Sequence, residues 1–168
     1  ASDVYKRQAL AVAAISTASA QDITVGLLSG GMGNPDAALK KLHDAGFKAC
    51  QIGFNTSWNQ AFADQLKELM QKYDVKVSAM IYCTPGGRWN FLEGPETIGL
   101  VPPLNRLRYL DNYKKAIDFC AMAGIPAFHS HFGFIPEEPT NELYPGFIAT
   151  MKDLASYAKE KGVMIYCE

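Results

Sequence analysis

The sequence feature that most constrains the fold is a pattern that occurs three times, in which a helical stretch ends at a glycine and a short apolar run follows. Gly46, Gly124 and Gly162 occupy this position. Glycine suits the left-handed backbone conformation with which many helices end. Helical stretches that alternate with short apolar runs are typical of βαβ units arranged around a parallel sheet. The chain is therefore predicted to have an α/β fold built by repeating one unit.

The apolar runs predict five strands, several of them apolar on both faces, as expected for strands buried beneath helices. These strands are predicted at residues 23–29, 49–54, 76–83, 127–133 and 163–168, and helices at residues 36–45, 59–73, 107–123 and 142–161. Two helix starts carry local signals. Asn34 can act as an N-cap in front of Pro35, and Ser57 with Gln60 has the spacing of a capping box.

Two folds use such units, the doubly wound sheet and the eight-stranded barrel, and periodicity alone does not separate them. The turn after the first strand, residues 29–34, lacks the G-x-G-x-x-G order and the lysine of a P-loop. Five strands between residues 23 and 168 correspond to half of a barrel domain of roughly 250 residues. We predict a (β/α)8 TIM barrel of which residues 21–168 contain about the first four and a half βα units. The remaining strands are expected beyond Glu168.

The first twenty residues differ from the rest of the chain. Lys6 and Arg7 precede the apolar run 9–15, and Ala-Ser-Ala at 18–20 precedes Gln21. This is the composition of a secretory signal peptide, and the run is shorter than the roughly 20 apolar residues that span a bilayer. The alternative is an amphipathic N-terminal helix. The expectation is cleavage before Gln21 and a periplasmic or secreted protein with no membrane contact afterwards.

The charge balance favours a small-molecule partner over nucleic acid. The net charge is −1 and no stretch gathers Lys and Arg as a phosphate-binding groove requires.

The four cysteines are far apart and form no Cys-x-x-Cys pair, so burial as small apolar residues is predicted. They are Cys50, Cys83, Cys120 and Cys167.

Functional groups of parallel α/β folds gather where strands end, because those carboxyl ends open into one crevice. The long segment 84–106 follows the third strand, and loops of this length are usually lids or binding loops. Its aromatic rings could cover the apolar face of a substrate, while its polar side chains could meet hydroxyls or a phosphate. Alternatively, the rings fix the loop to the rim and the arginines are solvated. The candidate substrate contacts are Trp89, Phe91, Arg88, Asn90 and Arg106.

Three further candidates end the fourth and fifth strands. His129 and His131 are two residues apart, so their side chains leave the same face and could meet one metal or one substrate. They could equally be hydrogen-bonded interior residues, with His129 the deeper of the two. Glu168 closes the fifth strand, where a carboxylate is costly unless it is paired, metal-bound or open to water. The alternative is that Glu168 frays into solvent.

These residues resemble a known family. Residues 37–47 after the first strand, residues 124–126 leading to 131–137, and a fifth strand ending in Glu168 are similar to the sugar phosphate isomerase/epimerase family. This family belongs to the xylose isomerase-like barrels, which also include the abasic-site endonucleases. The resemblance implies that Glu168 is a divalent-metal ligand and that His131 lies beside the substrate or metal. The Asp, His and second Glu that complete such a metal shell belong to strands absent from this sequence.

The function that the resemblance implies is metal-assisted isomerisation or epimerisation of a sugar or sugar-like substrate. Glu168 would be both metal ligand and proton acceptor, with Mn, Mg, Co or Zn as the cation, and the reaction would pass through an enediolate. The alternatives are an exported carbohydrate-binding barrel without turnover, and an endonuclease of the same superfamily, which the balanced charge disfavours. The 168-residue chain alone is expected to be inactive, and its unpaired strand edge allows self-association into a homo-oligomer.

Overall fold

The computed structural model describes residues 24–30 and 32–168. The proposed signal peptide and the cleavage site before Gln21 lie outside the described residues. The predicted strands and helices are all present, with bounds that shift by a few residues, and the long loop contains one short helix in addition. The elements are β1 (Gly26–Ser29), α1 (Pro35–Asp44), β2 (Ala49–Gly53), α2 (Gln60–Tyr73), β3 (Lys76–Ile81), α3 (Gly94–Thr97), α4 (Pro103–Ala123), β4 (Ala127–Ser130), α5 (Tyr144–Glu160) and β5 (Met164–Cys167).

The strands form one parallel sheet in the order β1-β2-β3-β4-β5. Sequential order separates the two folds left open by the sequence, because a doubly wound sheet reverses its order at the first strand. The barrel prediction is confirmed. Since all strands run in one direction, their carboxyl ends lie at the same edge of the sheet.

The predicted glycine helix ends are also confirmed. Gly46, Gly124 and Gly162 have φ angles of +81°, +70° and +70°. Helix α2 ends at Asp74 instead, with φ 51°, so here a residue other than glycine takes the left-handed conformation. Each of these residues lets the chain leave its helix and enter the following strand.

One helix start was predicted correctly and the other was not. Asn34 caps α1, and its side chain accepts a hydrogen bond from the Ala37 amide at 3.1 Å. The proposed capping box of Ser57 and Gln60 is wrong. Asn59 is the N-cap of α2 and accepts from the Phe62 amide. Ser57 instead donates its amide and hydroxyl to Asn55, because an Asx turn precedes the helix.

The hydrophobic core lies between the sheet and the helices, and strand alternation decides which residues enter it. In β2, Cys50 and Ile52 are fully buried while Gln51 is only partly buried. In β4, Phe128 and Ser130 are buried and His129 is partly exposed. Successive side chains of a strand leave opposite faces. Gln51 and His129 therefore lie on the concave face that becomes the barrel interior.

The two outer strands are paired on one side only within the described residues. β1 pairs with β2 and β5 pairs with β4. Leu28 and Met164 are about 60% exposed there, at 61% and 59%. Unpaired edges with apolar side chains favour association, so self-association of the isolated chain stays a prediction. In the part of the chain described, no helix combines the length and the hydropathy needed to cross a membrane.

Candidate functional site

A cleft of about 320 Å³ opens at the carboxyl ends of β4 and β5, beneath the long loop that connects β3 to α4. This is the edge at which TIM barrels carry their chemistry. Its volume falls at the lower end of the range for small-ligand pockets. The lining residues are Trp89, Asn90, Phe91, Ile98, His131, Gly133, Phe134 and Glu168.

We call Glu168 and the two histidines next to its carboxylate, His129 and His131, the polar floor; of the three, Glu168 and His131 line the cleft. Glu168 Oε2 lies 2.8 Å from Nε2 of His129 and 3.5 Å from Nε2 of His131. The structure thus brings the predicted His131 and Glu168 into one crevice and places His129 closer to the carboxylate than His131. The side chain of Glu168 is 60% exposed, so the carboxylate remains accessible from the cleft.

The main chain of Glu168 is held by the neighbouring strand. Its amide donates to the Ser130 carbonyl at 3.2 Å, and its carbonyl accepts from the Phe132 amide at 3.3 Å. These bonds continue the parallel ladder past the end of β5. The alternative in which Glu168 frays into solvent does not describe this structure.

Gln51 belongs to the same cluster, although its position in the sequence did not single it out. Its Nε2 lies 2.7 Å from Nδ1 of His129, on the ring edge opposite Glu168. The signal in the sequence is an amide in the middle of the apolar strand β2. An inward polar side chain in such a strand needs a partner, because burial without a hydrogen bond is costly.

The predicted aromatic contacts form the roof of the cleft. Trp89 meets the His131 ring edge to face, with ring centroids 4.7 Å apart, and Phe91 meets Phe134 at 6.2 Å. Trp89 is 60% exposed and Phe91 is 91% exposed. Rings that are positioned but largely uncovered can still receive the apolar face of a ligand.

The two predicted arginines do not line the cleft. Arg88 forms an ion pair with Glu93 of its own loop. Nη1 of Arg106 donates to the carbonyls of Leu100 and Val101 at 3.0 and 2.6 Å. Both guanidinium groups thus have partners close in sequence. Arg106 thereby ties the end of the loop to the first turn of α4.

The base of the loop is fixed to the ends of β3 and β4. The Gly99 amide donates to Oγ1 of Thr84 at 2.9 Å, and the Leu100 amide donates to the Phe132 carbonyl at 2.8 Å. Gly99 has φ +71°, and a Cβ atom there would lie 2.0 Å from the carbonyl carbon of Phe132. Only glycine allows the loop to cross the strand backbone this closely.

The cysteines follow the burial prediction in part. Cys50 and Cys120 are buried, and burial raises the pKa of their thiols to about 11 and about 12. Cys167 is exposed, so the burial prediction is wrong there. Near the cleft, burial and, to a smaller extent, the negative charge of Glu168 raise the pKa of Cys83. Cys83 is therefore a neutral thiol at neutral pH rather than a thiolate nucleophile.

The donor types at the cleft suit a divalent cation, but the described residues do not complete a site for one. Carboxylate oxygen and imidazole nitrogen are common ligands of such ions. Among residues 24–30 and 32–168, however, no group of three or more His, Cys, Asp and Glu side chains could hold a metal ion. Both Nε2 atoms lie against Glu168 Oε2 instead. A cation here would need ligands from elsewhere in the protein.

A larger depression of about 1030 Å³ lies near the amino ends of β2 and β3, lined in part by Lys48, Asp74 and Lys76. Lys48 forms an ion pair with Asp74 at 2.7 Å, so these two charges in the depression neutralise each other. Residues at this face of a barrel generally contribute to stability, and catalytic groups gather at the opposite face. The smaller cleft beneath the long loop is therefore the candidate site despite its size.

Comparison with known protein families gives one match that covers most of the chain. The family model described as xylose isomerase-like TIM barrel matches residues 39–168. The chain belongs to this family. The match includes the three residues of the polar floor and the whole long loop, which confirms the resemblance drawn from the sequence. Comparison with curated proteins gave no significant match.

Solved structures agree on the xylose isomerase-like barrel. A xylose isomerase domain protein from Planctomyces limnophilus has a TM-score of 0.77 at 20% identity, covering 85% of this chain and 51% of that one. An L-ribulose 3-epimerase has a TM-score of 0.63 at 16% identity, covering 86% and 49%. A family 2 AP endonuclease from Brucella melitensis has a TM-score of 0.60 at 15% identity, covering 86% and 54%. The chain spans about half the length of these structures, and the likeness shows the fold.

Proposed function

We propose that the protein is an isomerase or epimerase acting on a sugar or a sugar-like polyol. The observation that carries the proposal is the meeting of Glu168, His129 and His131 at one point beneath an aromatic roof. Family membership supports it, and so does the fold shared with an L-ribulose 3-epimerase and a D-psicose 3-epimerase solved in the presence of D-fructose.

In the proposed reaction, the Glu168 carboxylate removes the proton from a carbon next to the substrate carbonyl. The product of this step is an enediolate. Return of the proton from Glu168 to the former carbonyl carbon gives an isomer, whereas protonation of the original carbon on the opposite face, by a second acid outside the described residues, gives an epimer. His129 holds the carboxylate in place through Oε2 at 2.8 Å, and His131 lies 3.5 Å from the same oxygen. A fixed base within reach of the proton is the requirement for general base catalysis.

The aromatic roof has a separate role in the proposal. Trp89, packed on His131, would receive the C–H face of the sugar and exclude water from the reacting carbon. The hydroxyl face would then point toward the polar floor. This arrangement matches an amphipathic ring whose two faces differ in polarity.

We further propose that Glu168 contributes one ligand to a divalent cation, Mn, Mg, Co or Zn, completed by residues beyond those described. When bound, such a cation would supply charge stabilisation at the substrate oxygens. The number of donors present in the described residues is too small for tight binding, since fixed sites use three or four protein ligands.

Titration with Mn²⁺ or Co²⁺ tests the metal proposal. The 168-residue chain is expected to bind weakly and to show no turnover on a panel of ketoses. A version extended through the remaining strands is expected to bind in the micromolar range and to convert at least one ketose. Glu168→Gln in the extended version should weaken metal binding, because a carboxylate ligand is lost.

Two results would contradict these expectations. Micromolar binding by the 168-residue chain, abolished by Glu168→Gln, would mean that the described residues already build the metal site. Failure of the extended protein to bind metal, together with retention of sugars without turnover, would favour a carbohydrate-binding barrel.

The endonuclease alternative shares its fold with the Brucella protein, but a net charge of −1 does not favour DNA phosphates.

We also propose that residues 1–20 direct export and are then removed, giving a periplasmic or secreted protein. The basic residues, the short apolar run and the small residues at 18–20 support this interpretation. N-terminal sequencing of material recovered outside the cytoplasm is expected to begin at Gln21. A cytosolic product that retains residues 9–15 would contradict the proposal.

A further inference from the structure

We propose that Gln51 is a positioning residue that sets the tautomer of His129 and, through it, the orientation of the Glu168 carboxylate. The catalytic importance of this arrangement rests on the proposed function. The arrangement itself does not, because it follows from the geometry of three side chains, one on β2, one on β4 and one directly after β5.

The three side chains form a continuous chain of contacts across the concave face of the sheet. Gln51 Nε2 is 2.7 Å from His129 Nδ1, and His129 Nε2 is 2.8 Å from Glu168 Oε2. Both ring nitrogens of His129 therefore have a partner. The ring is also shielded, with only 16% of the His129 side chain exposed, so water competes poorly for either nitrogen.

The first contact spans a strand, because β3 lies between β2 and β4. The residue of β3 paired with Gln51 is Ala79. A methyl group at that position leaves room for the longer amide side chain to reach across the curved face. An amide placed here for packing alone would have no need to end within hydrogen-bond distance of an imidazole nitrogen.

The orientation of the amide gives the direction of the chain of contacts. Nε2 of Gln51 faces Nδ1 of His129, and an amide N–H can only donate, so in this orientation Nδ1 is the unprotonated acceptor. The single proton of the neutral ring then lies on Nε2, where it donates to the carboxylate of Glu168. The opposite amide orientation would place Oε1 against Nδ1, and Nδ1 would then carry a proton. The two orientations predict different protonation patterns.

His131 does not duplicate this role. Its Nε2 is 3.5 Å from Oε2, beyond the usual hydrogen-bond range, and its ring packs against Trp89. His129 is thus the closer partner of the carboxylate, and its state depends on Gln51. Gln51 would act on Glu168 only through this ring, without contact with the reacting atoms.

The test is ¹⁵N NMR of the histidine rings in the 168-residue chain, with His129 assigned by the loss of its signals in His129→Gln. We expect a pyridine-type Nδ1 and a pyrrole-type Nε2 for His129. His43 is an internal reference of opposite tautomer, because its Nδ1 lies 2.6 Å from the Tyr73 carbonyl and must donate. No sugar or metal is needed, so this result and the proposed activity can fail independently.

Two substitutions test whether Gln51 sets the tautomer of His129. Gln51→Glu removes the donor and offers only acceptors, so the Nδ1 signal should move to the pyrrole-type position. Gln51→Leu keeps the approximate size without the hydrogen bond, and the two tautomers should become mixed. Gln71→Glu, the same change on the exposed surface of α2, should leave the His129 signals unchanged.

Circular dichroism shows whether each variant keeps the fold. If Gln51→Glu unfolds, Gln51→Leu still tests the dependence on the amide donor. If both variants unfold, the tautomer of His129 in the wild-type chain decides whether the proposal stands. A protonated Nδ1 of His129 in the wild-type chain, or His129 signals unchanged by folded Gln51 variants, would overturn the proposal.

Discussion

Replacing Glu168 by Gln is expected to lower kcat of the extended protein by about 10²–10⁴-fold, the range contributed by a general acid or base. The amide is nearly the same size and can still accept from His129, so the floor of the cleft should keep its shape. It cannot take a proton from carbon. KM for the sugar should change much less, because the proposed sugar contacts of Trp89 and Phe91, which line the cleft, are left in place.

Steady-state kinetics and exchange of solvent deuterium into the substrate, both at a metal concentration that saturates the variant, measure the loss of the base. If Glu168 moves the proton, Glu168→Gln should abolish exchange at the carbon next to the carbonyl as well as turnover. Glu160→Gln is the matched control, since Glu160 is an exposed residue at the end of α5. Exchange that persists at the wild-type rate in Glu168→Gln would assign proton removal to another residue.

Much of the fold was predictable because each unit carries its own local signals. Gly46, Gly124 and Gly162 mark helix ends through backbone conformation, which depends on few neighbours. Strand alternation likewise places His129 and His131 on one face without knowledge of the rest of the chain. Parallel pairing then brings Glu168 beside them, because neighbouring strands end at the same edge.

The parts of the site that could not be predicted depend on contacts that sequence spacing does not encode. Gln51 reaches His129 across β3, and that approach follows from the curvature of the sheet and the small side chain of Ala79. The prediction that the arginines contact substrate stays a prediction, and in this structure the loop supplies partners for both of them. Arg88 pairs with Glu93, and Arg106 bonds nearby carbonyls, and both contacts depend on the path of the loop.

The path of the long loop should be sensitive to a single methyl group at Gly99. Gly99→Ala is expected to lower the free energy of unfolding by about 2–5 kcal/mol, combining the cost of a left-handed alanine with that of overpacking. The new Cβ would lie 2.0 Å from the carbonyl carbon and 2.1 Å from the oxygen of Phe132. These are backbone atoms of the segment that extends β4, so they cannot move aside as a flexible side chain would.

Gly46→Ala separates the two causes of the loss. Gly46 has φ +81° and no atom within 4 Å of the place that a methyl group would occupy, so only the left-handed conformation is penalised, by about 1–2 kcal/mol. Urea unfolding of both variants gives the comparison. Trp89 fluorescence, measured in a Trp58→Phe background because Trp58 is the second tryptophan, reports whether the loop leaves His131. Equal losses in the two variants would mean that the loop adjusts freely over β4. A larger loss in Gly99→Ala with altered Trp89 emission would mean that contact between Gly99 and Phe132 holds the aromatic roof above Glu168.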